Sequence, residues 1–258
     1  MSLPILAKSR GGAFAAGPAA PAAGAGFSNT KSVQFDGVDE TISCGDMADL
    51  NGIAAITLSM WVYMNEDGNM TWSTNTNLTA GMFMQTHSDD LYYGVGGGGY
   101  MRCADTRPSL SAWHHICGVY DVAGGGLNKG AIYVDGSAVT VTLANWGNTS
   151  GAAAGDSINI GRYNNGTSYW DGKLDEIAIW DSALSAAQVT NIYKGEENGG
   201  SGGTNGTTGD LASFSPLGWW RMGDGDSFPT LTNHGSTGAT NNGTMVNMES
   251  GDIVEDVP

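Results

Sequence analysis

The sequence predicts an all-β sandwich with one short helix. Three observations carry that expectation. Forty-one glycines and only 14% charged residues among 258 suit short strands joined by many turns. Segments of alternating polarity recur from Lys31 onward, punctuated by Asp-Gly and other turn signals. A single stretch, Tyr169 to Tyr193, carries the only clear helix signature.

Each element follows in order. "SVQFDGVDETISCGD" reads as a strand, a turn at Asp36-Gly37 and a second strand ending at Gly45. In "ITLSMWVYM" the residues Ile56, Leu58, Met60, Val62 and Met64 share one face. "GMFMQT", "DLYYGV" and "GYMRCA" are shorter strands; "WHHICGVYD" leads into "GAIYVDGSAVTVTL", where Asp135-Gly136 is a hairpin turn. "SINIGR" precedes the aromatic turn Tyr169–Gly172. Lys173 to Trp180 then alternates, with Leu174, Glu176, Ala178 and Trp180 on one face and Asp175, Ile177 and Ile179 on the other. Ser185 with Gln188 three residues on is a capping box, opening a helix that carries Val189, Ile192 and Tyr193 and stops at Gly195.

Residues 1–30 differ in composition. Proline and glycine break every helix there, and Leu3, Ile5 and Leu6 precede Lys8 and Arg10, the wrong order for a secretory signal. This segment is either a disordered tail or an extended arm that docks on a partner. Residues 196–210 read as a flexible Gly/Ser/Asn/Thr linker. Residues 211–258 have too few apolar residues to form a core alone.

The segments "VQFDGVDE", "WHHICGVYD", "AIYVDG" and "YWDGKLDEIAIWDSALSAAQVTNIY", in that order, resemble the laminin-G-like jelly rolls, the concanavalin A-like lectin/glucanase sandwiches. The resemblance covers about Lys31 to Gly195. The stretch after the linker, "LGWWRMGDGDSFPTLTNHGSTGATNNGTM", is similar to the lead-in that precedes the first strand in that family. Residues 31–258 are therefore expected to form one circularly permuted jelly roll. The strand around Trp219 to Met222 should fold back beside the strand containing Val33 to Asp36.

The family resemblance also implies candidate chemistry. Jelly rolls of this kind often hold a structural calcium where the first turn meets the closing strand, which points to Asp36, Asp39 and Asp175. The competing reading makes Asp36 an Asx turn before Gly37 and Asp175 a turn cap. Glucanase relatives need carboxylates on one strand face, in the pattern Glu-x-Asp-x-x-Glu; that pattern is absent, and adjacent Asp175 and Glu176 should point to opposite faces. His114 and His115 lack a Ser or Cys partner in a recognisable motif, so no enzyme is expected. Tyr92, Tyr93, Tyr100, Trp146, Tyr163 and Trp170 are loop-adjacent aromatics that could stack on sugars, though such residues more often pack a sandwich. Sequons at Asn77, Asn148, Asn165 and Asn242 are assigned no role.

Twenty-six acidic against ten basic residues give a net charge of -16, which repels nucleic acid. No apolar run is long enough to span a membrane. Cys44, Cys103 and Cys117 lack metal spacing and read as buried reduced thiols, pointing to a reducing compartment, with a disulfide between two of them as the alternative. The C-terminal layout further resembles laminin-G-like proteins of tailed, often marine, bacteriophages. That resemblance implies a virion structural protein of capsid-decoration, head-fibre or tail-appendage type, assembled in the host cytoplasm. It would be a homo-oligomer, held to other virion proteins by residues 1–30 and in reach of host-surface glycans. A carbohydrate-binding adhesin is the alternative, and a glycan-active enzyme the third.

Overall fold

The computed structural model describes residues 27–68, 70–74, 81–96, 99–124, 129–145, 157–163, 166 and 168–258. Residues 1–26 of the proposed arm, Trp146, and the sequons at Asn77, Asn148 and Asn165 lie outside the described residues.

The strands are β1 (Ser32–Asp36), β2 (Thr41–Asp46), β3 (Ala55–Met64), β4 (Met70–Thr74), β5 (Met82–His87), β6 (Asp90–Val95), β7 (Gly99–Cys103), β8 (Trp113–Asp121) and β9 (Gly130–Val134). They continue as β10 (Ser137–Ala138), β11 (Leu143–Asn145), β12 (Ser157–Ile160), β13 (Asp171–Trp180), β14 (Gly218–Trp220), β15 (Thr230–Leu231), β16 (Gly243–Val246) and β17 (Ile253–Val254). One helix, α1 (Ala186–Tyr193), follows β13. The first sheet runs β10-β9-β8-β3-β13-β1-β17, with β14 also on β13; the second runs β11-β7-β6-β5-β4-β12-β2-β16-β15. Two antiparallel sheets packed face to face make the jelly-roll sandwich that the alternating segments predict.

The core lies between them. All five residues expected on one face of β3 enter it, with Val33, Phe35, Ile42, Tyr93, Tyr120, Trp170 and Trp220. Methionines fill the gaps: Met60, Met64, Met82, Met84, Met101 and Met222 are all buried there. Cys44, Cys103 and Cys117 are buried free thiols, and burial pushes Cys103 up to about 11.

The hairpin turn forms where Asp135 and Gly136 stand, both with positive φ (49° and 72°). The capping box closes at Ser185, whose side chain accepts from the Gln188 amide, and Val189 and Ile192 are the buried face of α1. These two join Trp180, Leu184, Leu211, Phe214 and Trp219 in a second apolar layer on the outer side of the first sheet.

The Trp219 strand is hydrogen-bonded into the sandwich, but its neighbour differs from expectation. β14 pairs with β13 (Ile177 with Trp220, Ala178 with Trp219), not with β1. β1 takes the first half of the same flank of β13, pairing Val33 with Leu174 and Asp36 with Asp171. The two short strands thus lie end to end along one long strand. Residues 196–210, expected as a flexible linker, carry their own hydrogen bonds: Gly203 N donates to Glu196 Oε1, and Thr207 Oγ1 to the Lys194 carbonyl.

The simple alternation of β13 fails in its middle. Asp175 is opposite Trp61 and Ala178 opposite Ser59, so three steps on β13 match two on β3. This β-bulge holds Glu176 at φ 44°, a conformation few non-glycine residues adopt. The parity flips across it: Leu174, Ile177 and Ile179 all face the core. The expected split of Asp175 and Glu176 between faces is therefore overturned, because the extra residue turns both carboxyls to the outer side of the sheet.

Candidate functional sites

The structure does not bring Asp36, Asp39 and Asp175 together. Asp36 ends β1 opposite Asp171, and its Oδ1 accepts from Val38 N at 2.8 Å, the Asx turn that the competing reading expects. Asp39 is exposed in the same turn, and its carbonyl accepts from Asn247 Nδ2. Asp175 is fully buried and lies four residues along β13 from Asp171, about 13 Å away at strand rise. These three carboxylates do not form one calcium shell. Among the described residues, no group of three His, Cys, Asp or Glu side chains is arranged to hold a metal.

Asp175 belongs to a different constellation. The bulge sets it beside Glu176, and the turn after β14 brings Arg221 and Asp224 over both. Asp175, Glu176 and Asp224 are all buried. Arg221 Nε lies 3.3 Å from Glu176 Oε1, and its Nη2 lies 3.5 Å from Asp224 Oδ2. Onto this cluster the chain lays Phe27 to Thr30. Asn29 Nδ2 donates to Asp175 Oδ2 (2.7 Å), and Thr30 Oγ1 and N donate to Asp224 (2.7 and 3.0 Å). Arg221 Nη2 donates to the Ser28 carbonyl at 2.5 Å. The Phe27 ring stacks on Trp219 at 6.4 Å, with the Arg221 guanidinium 4.5 Å from its centroid.

Crowded burial shapes the charges. Burial, then the neighbouring Glu176 and Asp224, push Asp175 well above the usual carboxylate range despite the Asn29 bond. Burial raises Glu176 to about 7, against the pull of Arg221 and the Trp219 indole N–H.

A second surface lies on the outer side of the other sheet. Register places Gln85, Tyr92, Arg102 and Leu143 in one row across β5, β6, β7 and β11. Tyr100 stands in the next row, opposite Gly94, whose outer side is covered by the buried Phe83 ring from β5. The Tyr92 and Tyr100 rings are 6.2 Å apart and partly exposed. Arg102 Nε pairs with Asp90 at 2.6 Å, so the row carries no unmet cation. Of the other aromatics singled out, Tyr93 and Trp170 are core residues, and Tyr163 is partly buried.

A family model for the concanavalin A-like lectin/glucanases superfamily matches residues 36–190, more than half of the chain. The chain belongs to that superfamily. No curated protein sequence matches it. Among solved structures, a putative carbohydrate binding protein from Bacteroides ovatus aligns with a TM-score of 0.61 and 18% identity, over 90% of this chain and 60% of that one. A heptameric SAP-like pentraxin from Limulus polyphemus aligns at 0.48 and 20% identity, over 64% and 82% of the two chains. Domain 4 of the arabinanase AbnA from Geobacillus stearothermophilus aligns at 0.46 and 18%, over 62% and 75%. The Bacteroides likeness agrees with the fold; at these identities the likenesses show nothing further.

Within this lectin-like sandwich the histidines find serines that the sequence hid on other segments. Ser59 Oγ lies 2.7 Å from His115 Nε2, and Ser109 Oγ 2.8 Å from His114 Nε2. The Ser59–His115 pair is not a nucleophilic triad. Ser59 and His115 are fully buried, and His115 Nδ1 has no partner where a triad needs its orienting acid. Asp135 Oδ1 accepts from the His115 backbone N–H, and its Oδ2 lies 2.8 Å from His114 Nδ1, so Ser109, His114 and Asp135 line up in Ser–His–Asp order at the surface. Burial lowers His115 to about 4, so it is a neutral packing residue against Trp61 and Tyr193.

Proposed function

We propose that this chain is a virion structural protein of a tailed bacteriophage, a decoration, head-fibre or tail-appendage protein. Its non-catalytic lectin-like sandwich is displayed by an N-terminal arm that attaches, as a homo-oligomer, to other virion proteins. The observation that supports this reading most is the fixed root of the arm. Residues 27–30 are seated by four polar contacts and an aromatic stack on the first sheet, so whatever residues 1–26 hold is coupled to a rigid domain. An arm without acidic residues, on a body that carries all 26, also suits attachment apart from the charged domain. Deleting residues 1–26 should abolish co-sedimentation with phage particles while leaving the circular dichroism and melting of the sandwich intact. Undiminished particle binding by the truncated chain sinks the proposal.

The tyrosine row favours a second reading, carbohydrate binding. Two adjacent, partly exposed rings offer apolar faces for sugar C–H groups, with Gln85 and the Asp90–Arg102 pair as hydrogen-bonding neighbours. The likeness to the Bacteroides ovatus structure, a putative carbohydrate binding protein, fits that use. A glycan array probed with the full chain and with the double variant Tyr92→Ala/Tyr100→Ala tests it; signals equal for both chains would remove these residues from any binding role.

A further inference from the structure

We infer that the Arg221 guanidinium is the built-in cation of the Asp175–Glu176–Asp224 cluster, clamping Phe27–Thr30 to the sandwich without a metal ion. Three buried carboxyls gathered at a chain junction are the kind of oxygen-rich place where a divalent cation ties segments together. Here the accounting of lone pairs points elsewhere. Asp175 Oδ1 accepts from Glu176 N and Oδ2 from Asn29 Nδ2. Glu176 Oε1 takes Arg221 Nε and Oε2 takes Trp219 Nε1. Asp224 Oδ1 takes Thr30 Oγ1, and Oδ2 takes Thr30 N and Arg221 Nη2. All six carboxyl oxygens thus face protein donors, whereas a calcium ion needs several of them turned toward itself.

Arg221 also does what a metal at this place would do for the backbone, since its Nη2 draws in the Ser28 carbonyl. Its planar fork reaches Glu176, Asp224 and Ser28 at once, and its face is covered by Phe27. A lysine, a single point charge, cannot reproduce that set. The clamp is a property of the isolated chain, so it stands or falls independently of what residues 1–26 attach to.

The test uses the full chain carrying a fluorophore on Ser28→Cys, an exposed position whose carbonyl, not side chain, is used by the clamp. Arg221→Gln should free the label, read as a fall in anisotropy, while Arg221→Lys restores only part of it. Chelator or added calcium chloride should leave both anisotropy and melting midpoint of the parent unmoved. Calcium titrations of the parent and of Asp175→Asn by calorimetry should superimpose. A melting midpoint lowered by chelator and restored by calcium, or calcium affinity lost in Asp175→Asn, overturns the inference. So does an Arg221→Gln chain whose label stays as immobile as the parent's. If Arg221→Gln does not fold, the chelation and calorimetry arms, on chains that retain Arg221, still decide the matter.

Discussion

On the first sheet the outer side of β8, β9 and β13 is roofed. Cys117, Val119, Tyr133, Ala178 and Trp180 lie under Leu184, α1, Leu211, Phe214 and Trp219, and the roof is completed by Phe27. On the second sheet the outer side of β6, β7 and β11 shows Tyr92, Tyr100, Arg102 and Leu143 to solvent, Leu143 with 42% of its surface exposed. The same pleated backbone therefore supports two different outsides. The roofed side consumes the helix, the stretch from 211 to 220 and the root of the arm, which suits it to anchoring. The bare side packs little beyond Phe83, whose ring lies over Gly94, and leaves Tyr92, Tyr100 and Leu143 open to an external contact.

Removing a roof beam should give the largest effect. Trp180 is 1% exposed, and its Nε1 donates to the Phe214 carbonyl at 3.0 Å. Trp180→Ala should cost about 3–5 kcal/mol by urea unfolding, from lost burial and the cavity left behind. A cost near that of a surface substitution would mean the roof is loosely laid and the contrast between the two outsides is overstated.

Next in size comes a pH effect with its main source on the roofed side. Glu176 titrates near its ordinary 4.5 in the unfolded chain and at about 7 in the folded one. Below 4.5 both states hold the proton. Above about 7 both have lost it, and the folded state carries the buried charge. Between these values the unfolded chain binds fewer protons, so stability falls as pH rises from about 4.5 to about 7. Glu40, raised to about 7 chiefly by burial, acts in the same direction. His115, lowered to about 4 by burial, acts in the opposite direction up to about pH 6.5, so the Glu176 contribution is read against Glu176→Gln: from pH 5 to pH 7.5 the parent should lose on the order of 2 kcal/mol relative to that variant. Glu176→Gln should flatten the slope, and an unchanged slope in that variant would remove Glu176 as its source.

The two sides were unequally legible in the sequence. β3, the Asp135–Gly136 turn and the Ser185 cap are local patterns, and each appears where the pattern lies. The bulge was hidden because nothing in "KLDEIAIW" marks Glu176 for φ 44°; only the competing demands of β3, β1 and β14 on one strand impose it. The clamp was invisible for a related reason: Asn29 meets Asp175 across 146 residues, and Thr30 meets Asp224 across 194. Tyr92 and Tyr93 were separable, since period two sends one ring to the core once the other is placed outside. The three carboxylates that the resemblance named for calcium, Asp36, Asp39 and Asp175, stand apart, and Asp175 meets Asn29 and the Glu176 amide.

A smaller effect tests the helix that carries the roof. Ser185→Ala removes the side-chain acceptor for the Gln188 amide and should cost about 1 kcal/mol, with the second sheet's tyrosine row undisturbed. The smallest stability effect belongs to the bare side. Tyr92 gives up only a 3.3 Å bond to Asp90, whose main partners, Arg102 and the Asp105 amide, remain. Tyr92→Ala and Tyr100→Ala should each change unfolding free energy by no more than about 0.5 kcal/mol. A loss of several times that size would show that the rings are packing elements, and the bare side would then be a second roof in the making rather than a free surface. A neutral result leaves two adjacent aromatic rings that the fold itself does not need, which is the condition a contact surface has to meet.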